Sequence, residues 1–206
     1  GASFNPTCWT EIISAGQGNE ESLNEFCRMY WHPLYAYARR SGKSVEQSQD
    51  LTQSFFTHLL EKAKLQEVTQ GKGRFRNFIL ILFKRFMIND FTKSKAEKRG
   101  GKLIQLDYNE VEEWLTGQSD SPEELFNKSW ALTTIDQVLE EIQKRFEKND
   151  DLKRFEIMKP HLDNSTTQTY KDSATELNCT ENSFKVAIHR LKKEFGKVLR
   201  LKVQST

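Results

Sequence analysis

The residues best suited to chemistry in this sequence are the polar and basic ones of TENSFKVAIHRLKKEF, near its carboxyl end. Phe184, Ile188 and Leu191 recur at helical spacing and predict a core-facing side. Polar groups near a helix N-terminus can contact base edges in a DNA major groove, and later Lys and Arg contact phosphates. The opposite side carries Asn182, Ser183, Lys185, Val186, His189, Arg190 and Lys193.

The residues before this helix complete the pattern of a helix-turn-helix. Thr169 opens a capping-box pattern in TYKDSATEL, and Thr180 is a suitable N-cap for the second helix. Ala174 is small where the two helices would cross, and Phe184 can pack the second helix back on the first. Asn178 takes the turn position that Gly usually holds, because Asn tolerates left-handed backbone. The spacing predicts DNA binding, with an ordinary helical hairpin as the alternative.

The charges are clustered, although the formal net charge of the 206-residue chain is only +2. Residues 185–202 hold seven Lys or Arg and one Glu, a net +6, and residues 84–102 hold seven against two, a net +5. Between them, residues 107–126, called here the acidic segment, hold seven Asp or Glu and no Lys or Arg, a net −7. The clustering predicts two separate anionic contacts, and solvated helix faces are the alternative.

Helical periodicity dominates the elements that would position these residues. Ser44 and Gln47 form a capping-box pattern, and Leu51 and Phe55 continue an apolar stripe after it. The segment FRNFILILF is apolar nearly all round, which predicts a buried helix with a basic, exposed end. Glycines and a proline interrupt residues 100–122, where short local structure around VEEWL is the most that the pattern indicates. The expected fold is all-α, with helical domains at 1–99 and 123–206 joined by a flexible acidic linker at 100–122.

Composition excludes several classes of protein. Cys8, Cys27 and Cys179 are odd in number and far apart, so no disulfide framework is predicted and a reducing compartment is favoured. The longest apolar run is too short to cross a bilayer, and no signal peptide is recognisable, so we expect a cytoplasmic protein without membrane insertion. The sequence has no Gly-rich phosphate loop, CxxC pair or HExxH motif, so no catalytic residue, metal or cofactor is predicted.

The order and spacing of these motifs resemble a bacterial RNA polymerase sigma factor of the extracytoplasmic-function group. The resemblance runs from about residue 9 to residue 201 through YWHPLYAYARRSG, DLTQSFFTHLLEK, GRFRNFILILFKRFMINDF, SPEELFNKSWAL and the helix-turn-helix. KRGGK and ELFNKSWAL resemble the planctomycete-like subgroup. The resemblance implies a region 2 bundle that docks on core polymerase and recognises and melts the −10 element. It also implies a region 4 helix-turn-helix for the −35 element.

The resemblance also implies roles for single residues. Asp50, Leu51 and Gln53 match the helix that docks on the polymerase, and Ser54 stands where the family usually has an acid. The recognition positions of the second helix match Lys185, His189 and Arg190, with Asn182, Ser183 and Lys193 nearby. The residues matching the −10 surface are Lys84, Arg85, Asn89, Asp90 and Lys93.

The implied partners are core RNA polymerase, promoter DNA and an anti-sigma factor or another protein regulator. The acidic segment would run through the polymerase, where its charge could mimic nucleic acid. Two other classes of protein stay open from the residues alone. A stand-alone helix-turn-helix regulator would bind duplex DNA without polymerase, and a helical adaptor would show no salt-dependent DNA affinity.

Overall fold

The computed structural model describes residues 20–61, 75–93, 109–163 and 165–205. All regular structure in these ranges is helical, which confirms the all-α prediction. The described ranges also contain a 3₁₀ turn, Lys159–His161. The α-helices are α1 (Glu20–Arg40), α2 (Val45–Glu61), α3 (Phe75–Lys93), α4 (Asn109–Leu115), α5 (Pro122–Lys148), α6 (Leu152–Met158), α7 (Tyr170–Glu176) and α8 (Glu181–Ser205).

The chain divides into two compact units at Thr133 and Thr134. The first unit is Gly1–Thr133 with Ser205–Thr206, and the second is Thr134–Gln204. Helix α5 supplies residues to both units, so each unit is described by itself.

Aromatic side chains form the core of the first unit. Tyr30 of α1 and Phe75 of α3 meet edge to face with ring centroids 5.6 Å apart, and Phe55 of α2 meets Phe83 at 5.1 Å. All four are almost wholly buried. Edge-to-face pairs of this kind add to the stabilisation that burial provides. The front half of α3 is therefore largely buried, as its apolar sequence predicts, although Ile81 is exposed.

The predicted capping box at the start of α2 is confirmed. The amide of Gln47 donates to Ser44 Oγ at 3.1 Å, and the amide of Ser44 donates to Gln47 Oε1 at 3.0 Å. A second reciprocal pair begins α5, where Ser121 and Glu124 exchange the same bonds. Each pair satisfies amides that the first helical turn leaves without partners.

Part of the segment predicted as a linker is helical. Residues 109–115 form α4, which packs against α1 and buries Val111 at 6% exposure. The first turns of α5 also join the first core through Phe126 and Trp130, both buried. Residues 100–108 lie outside the described residues. The described part of the acidic segment is therefore held on the first unit, because burying these apolar side chains is favourable.

The second unit has its own apolar core. Val138 and Ile142 of α5 pack with Phe155 of α6 and with Ile188 and Leu191 of α8. Helical spacing predicts Ile135 on the same face as Val138 and Ile142, but it is exposed. This core fixes the side of α8 that is turned away from solvent, and therefore also the side that is presented to solvent.

Candidate nucleic-acid interfaces

The turn between α7 and α8 has the geometry that the sequence predicts. Thr169 caps α7 and forms a reciprocal capping box with Asp172. Asn178 takes the left-handed conformation with a φ of 51°, which a short polar side chain tolerates. Ala174 and Phe184 are buried where the two helices meet. The two helices and their turn therefore form a helix-turn-helix.

Side chains close in sequence form hydrogen bonds with the N-terminal turn of α8. Thr180 Oγ1 accepts from the amide of Ser183 at 3.2 Å and donates to the hydroxyl of Ser183 at 2.8 Å. Glu181 lies in the first turn, where the helix dipole favours an acid, and pairs with Lys185 at 2.7 Å. These local bonds fix the first turn of α8 together with the packing of Phe184 on Tyr170 of α7.

One exposed stripe runs along α8 on the side opposite the core. We call Asn182, Val186, His189 and Lys193 the recognition stripe, and all four are exposed. Ser183, Lys185 and Arg190 flank it and are exposed as well. The structure thus brings the predicted residues of this helix together on one surface, with donors near the N-terminus and cations further along. Such a surface can contact base edges and phosphates together.

A histidine that the sequence interpretation did not single out supports this surface from below. His161 is buried, and its Nε2 lies 2.8 Å from Ser173 Oγ of α7. Its ring also contacts those of Tyr170 and Phe184, at centroid distances of 5.2 and 5.3 Å. Burial, and secondarily the charge of Lys192, lowers the pKa of His161 below its usual 6.5. The ring is therefore neutral at pH 7 and belongs to the packing of the helix-turn-helix.

The second predicted DNA surface lies on α3. Arg85 and Asn89 are exposed, and Lys84 is partly exposed. The side chains of Asp90 and Lys93, at the end of the same helix, lie outside the described residues. The structure therefore places three of the five predicted residues on a helix with an exposed side.

Lys84 is already engaged by the acidic segment. Its ammonium lies 2.5 Å from Glu123 Oε1 and 5.4 Å from the centre of the Tyr37 ring. This hydrogen bond raises the pKa of Lys84 and lowers that of Glu123. Lys84, which is predicted to contact DNA, is therefore already paired with an acid of the same unit.

A second cation of the first unit binds the acidic segment at α4. The Arg39 guanidinium donates two hydrogen bonds, of 2.6 and 2.9 Å, to the Glu112 carboxylate. The Tyr35 hydroxyl donates a third to the same carboxylate at 2.6 Å. These bonds, led by the one from Arg39, lower the pKa of Glu112. A bidentate guanidinium contact of this kind fixes the orientation of the carboxylate as well as its charge.

The residues matched to polymerase docking lie near the start of α2 but not all on its surface. Asp50 is exposed and Gln53 is half-buried, so both can reach a partner. Leu51 is only 6% exposed and packs in the first core, so it holds the helix in place and offers little contact surface. Ser54, in the position the family usually gives to an acid, is exposed.

Other kinds of site find little support in the described part of the chain. No group of three or more His, Cys, Asp or Glu side chains there could hold a metal ion. Cys27 is buried, which raises its pKa to about 12 and keeps its thiol protonated and unreactive. No described helix is long and apolar enough to cross a membrane.

Comparison with known proteins identifies a family. The family model described as ECF sigma factor matches residues 8–192, which is most of the 206-residue chain. Searches of curated proteins and of solved structures found no match.

Proposed function

The chain belongs to the ECF sigma factor family, and we propose that it binds core RNA polymerase and directs transcription initiation at specific promoters. Membership of the family supports a regulatory, DNA-binding role in initiation, with the chemistry left to the polymerase. The observation that carries the promoter proposal is the helix-turn-helix of the second unit, whose recognition stripe is exposed and flanked by cations.

The second unit would bind the −35 element as duplex DNA. Its first turn presents Asn182 and Ser183 for base edges, and Lys185 and His189 follow one turn later. Arg190 and Lys193 lie further along the helix, where cations contact phosphates. Because phosphate contacts release counterions, this binding should weaken steeply with salt.

The first unit would recognise and melt the −10 element through α3. Lys84, Arg85 and Asn89 give this surface its described polar groups, and the resemblance assigns Asp90 and Lys93 to it as well. Melted DNA requires a positive groove that follows the backbone of a single strand. The net charge of +5 over residues 84–102 supports such a groove.

Asp50 and Gln53 would dock on the polymerase, with Leu51 holding α2 from the core side. We propose domain limits of 1–99 and 123–206, with a linker at 100–122 that passes through the polymerase in the transcribing complex. There its acids would mimic nucleic acid in the path of the RNA. Replacing them with Gln should then change the yield of abortive transcripts, and an unchanged yield would refute that role.

We also propose that the chain acts in the cytoplasm under control of an anti-sigma factor or another protein regulator, as is common in the family. From the resemblance of KRGGK and ELFNKSWAL we propose that it belongs to the planctomycete-like subgroup. A stand-alone helix-turn-helix regulator is the second candidate function. The exposed recognition stripe of α8 favours it as well, because that surface needs no polymerase to meet a duplex.

The docking proposal is tested by measuring the affinity of the full chain for core RNA polymerase. Asp50→Asn removes one exposed charge of α2, and Glu46→Gln removes another charge one turn earlier, so the two changes are matched. We expect Asp50→Asn and Gln53→Ala each to weaken binding several-fold, as lost interface hydrogen bonds do. Glu46→Gln should bind like the unchanged chain. Equal affinity of all three variants would refute the docking assignment.

A further inference from the structure

Val186 is an apolar residue in the middle of an otherwise polar stripe. It is 43% exposed, one turn after Asn182 and one turn before His189. The core lies on the other side of α8, where Phe184 and Ile188 are buried. One flank of Val186 borders an open cleft toward α5 and α6, and the rest is turned to solvent.

Helix stability does not account for a valine at this position. A β-branched side chain loses rotamer freedom in a helix, so an exposed helical site favours Ala, Lys or Glu over Val. Core packing does not account for it either, because nearly half of the side chain is exposed. Val186, unlike the exposed Val203 of the same helix, lies among the polar residues of the recognition stripe, so DNA bound to that stripe would cover it.

The DNA major groove offers one apolar group on its base edges, the 5-methyl of thymine. We propose that Val186 recognises a thymine methyl in the upstream promoter element, between the base contacts of Asn182 and His189. This inference rests on the proposed promoter function and adds a base preference to it. Val186 would then determine specificity, while the neighbouring cations set affinity.

The test removes only the methyl group. Holoenzyme assembled from core polymerase and the full chain first selects a promoter from a random library. Each thymine of its upstream element is then replaced by deoxyuridine, which lacks the 5-methyl, and the Kd is measured. The measurement is repeated with Val186→Ala and with Val203→Ala, a matched change at a valine of the same helix that is 39% exposed.

We expect one thymine at which loss of the methyl weakens binding about fourfold, the worth of one buried methyl group. In Val186→Ala the same replacement should have no effect, and Val203→Ala should behave like the unchanged chain. Equal methyl dependence in all three proteins, or none at any thymine, overturns the inference and leaves the promoter function standing. Failure to select any promoter would instead defeat the proposed function, and this inference with it.

A second inference has its own observation, the ion pair between Lys84 and Glu123. Further contacts hold the acidic segment and the adjoining turns of α5 on the first unit. Arg40 Nε donates to the carbonyl of Asp120 at 2.6 Å, and the Arg76 guanidinium stands 4.5 Å from the centre of the Trp130 ring. Several cations of α1 and α3 therefore already have partners within the unit.

We infer that the acidic segment competes with promoter DNA for Lys84, so that DNA must displace Glu123 to bind α3. A carboxylate presents the same charge and acceptor oxygens as a phosphate, so the two exchange at one ammonium. The pair is partly exposed, so this exchange needs no unfolding of the core. The inference rests on the proposed DNA role of α3.

The test compares Glu123→Gln with Glu113→Gln, an exposed acid of the same segment, so that both variants lose the same charge. Affinity is measured for single-stranded DNA carrying the selected downstream element, with the free chain and with the holoenzyme. Glu123→Gln should bind about two- to fivefold tighter as the free chain, as expected for an exposed pair. It should bind unchanged in the holoenzyme, and the gain should vanish when Lys84→Gln is added.

If Glu123→Gln and Glu113→Gln raise the affinity for single-stranded DNA equally, the gain comes from the change in net charge alone, and the inference is overturned. The absence of any gain would overturn it too. If no form of the protein binds this single strand, the proposed role of α3 fails together with the inference.

Discussion

The two basic surfaces of this chain differ in where their counter-charges come from. On α3, Lys84 pairs with Glu123, which lies 39 residues further along the chain. On α8, Lys185 pairs with Glu181 of the same helix, and Arg190 and Lys193 form no ion pair within the described residues. A surface with free cations can meet DNA directly, whereas one that is covered must first exchange its partner.

The difference fits the two tasks proposed. Duplex DNA is always present for α8 to contact, so an uncovered surface is useful in the free chain. Melted DNA exists only once the polymerase complex has formed, so pairing Lys84 with Glu123 costs no DNA contact before that step. The placement of Glu123 beside Lys84 therefore matches the proposed order of events at a promoter.

The largest expected effect comes from breaking each core separately. Phe184→Ala and Phe55→Ala each remove a buried aromatic ring and should cost about 3–5 kcal/mol of unfolding free energy. In hydrogen exchange, Phe184→Ala should expose amides of α7 and α8, and Phe55→Ala those of α1 to α3. Equal loss of protection in both units from either change would mean that the two surfaces cannot be treated separately.

A smaller effect is expected from Arg190 on α8. Arg190→Ala should weaken binding of the selected −35 duplex by about 1–3 kcal/mol if the guanidinium contacts a base. If it contacts a phosphate, the loss should be uniform across sequences, and the slope of log K against log salt should fall by about one. Arg200→Ala, further along the same exposed side, is the control. Unchanged affinity and slope in Arg190→Ala would remove this residue from the interface.

The helix caps should have smaller effects and allow a matched comparison of the units. Ser44→Ala and Thr169→Ala each remove a hydroxyl that accepts a bond from the third helical residue. Each should cost about 1 kcal/mol in chemical denaturation. The Thr169→Ala variant should also weaken duplex binding, since α7 supports α8, while Ser44→Ala should leave it unchanged. If Ser44→Ala weakened duplex binding and Thr169→Ala did not, the assignment of duplex binding to the second unit would be wrong.

The smallest expected change is the pH dependence carried by His161. Its pKa is lowered in the folded chain, so stability is full above the unfolded value of 6.5 and falls as the pH drops below it. The loss stops once the pH has passed the folded pKa. Denaturation of the second unit between pH 7.5 and 5 should show this loss, and His161→Gln should remove it. A loss of stability on raising the pH instead would contradict the buried neutral ring.

Local sequence signals predicted the helix-turn-helix well. Thr169, Asn178 and Phe184 act on neighbours a few residues away, so type and spacing were enough to place them. The same holds for the cap at Ser44. The recognition stripe followed from the apolar residues on the other side of α8, because a helix with one buried side must expose the other.

Contacts between residues far apart in the sequence could not be predicted from local patterns. The linker at 100–122 was expected to be flexible, because its glycines and charges outnumber the few apolar residues that hold it, Val111 among them. The partners of Arg39 and Lys84 lie 73 and 39 residues away, and nothing in the local pattern marks such pairs. Ile135 was expected in the core because periodicity along α5 does not show that the helix serves two units.

The most direct test of the central claim is run-off transcription by core RNA polymerase, with and without the full chain, on a library of randomised promoters. A sigma factor should give transcripts from a specific subset of promoters only when the chain is present, and Asp50→Asn should lower their yield several-fold at limiting chain concentration. Absence of such transcripts, combined with tight, salt-dependent duplex binding by the chain alone, would contradict it. The protein would then act as a helix-turn-helix regulator that needs no polymerase.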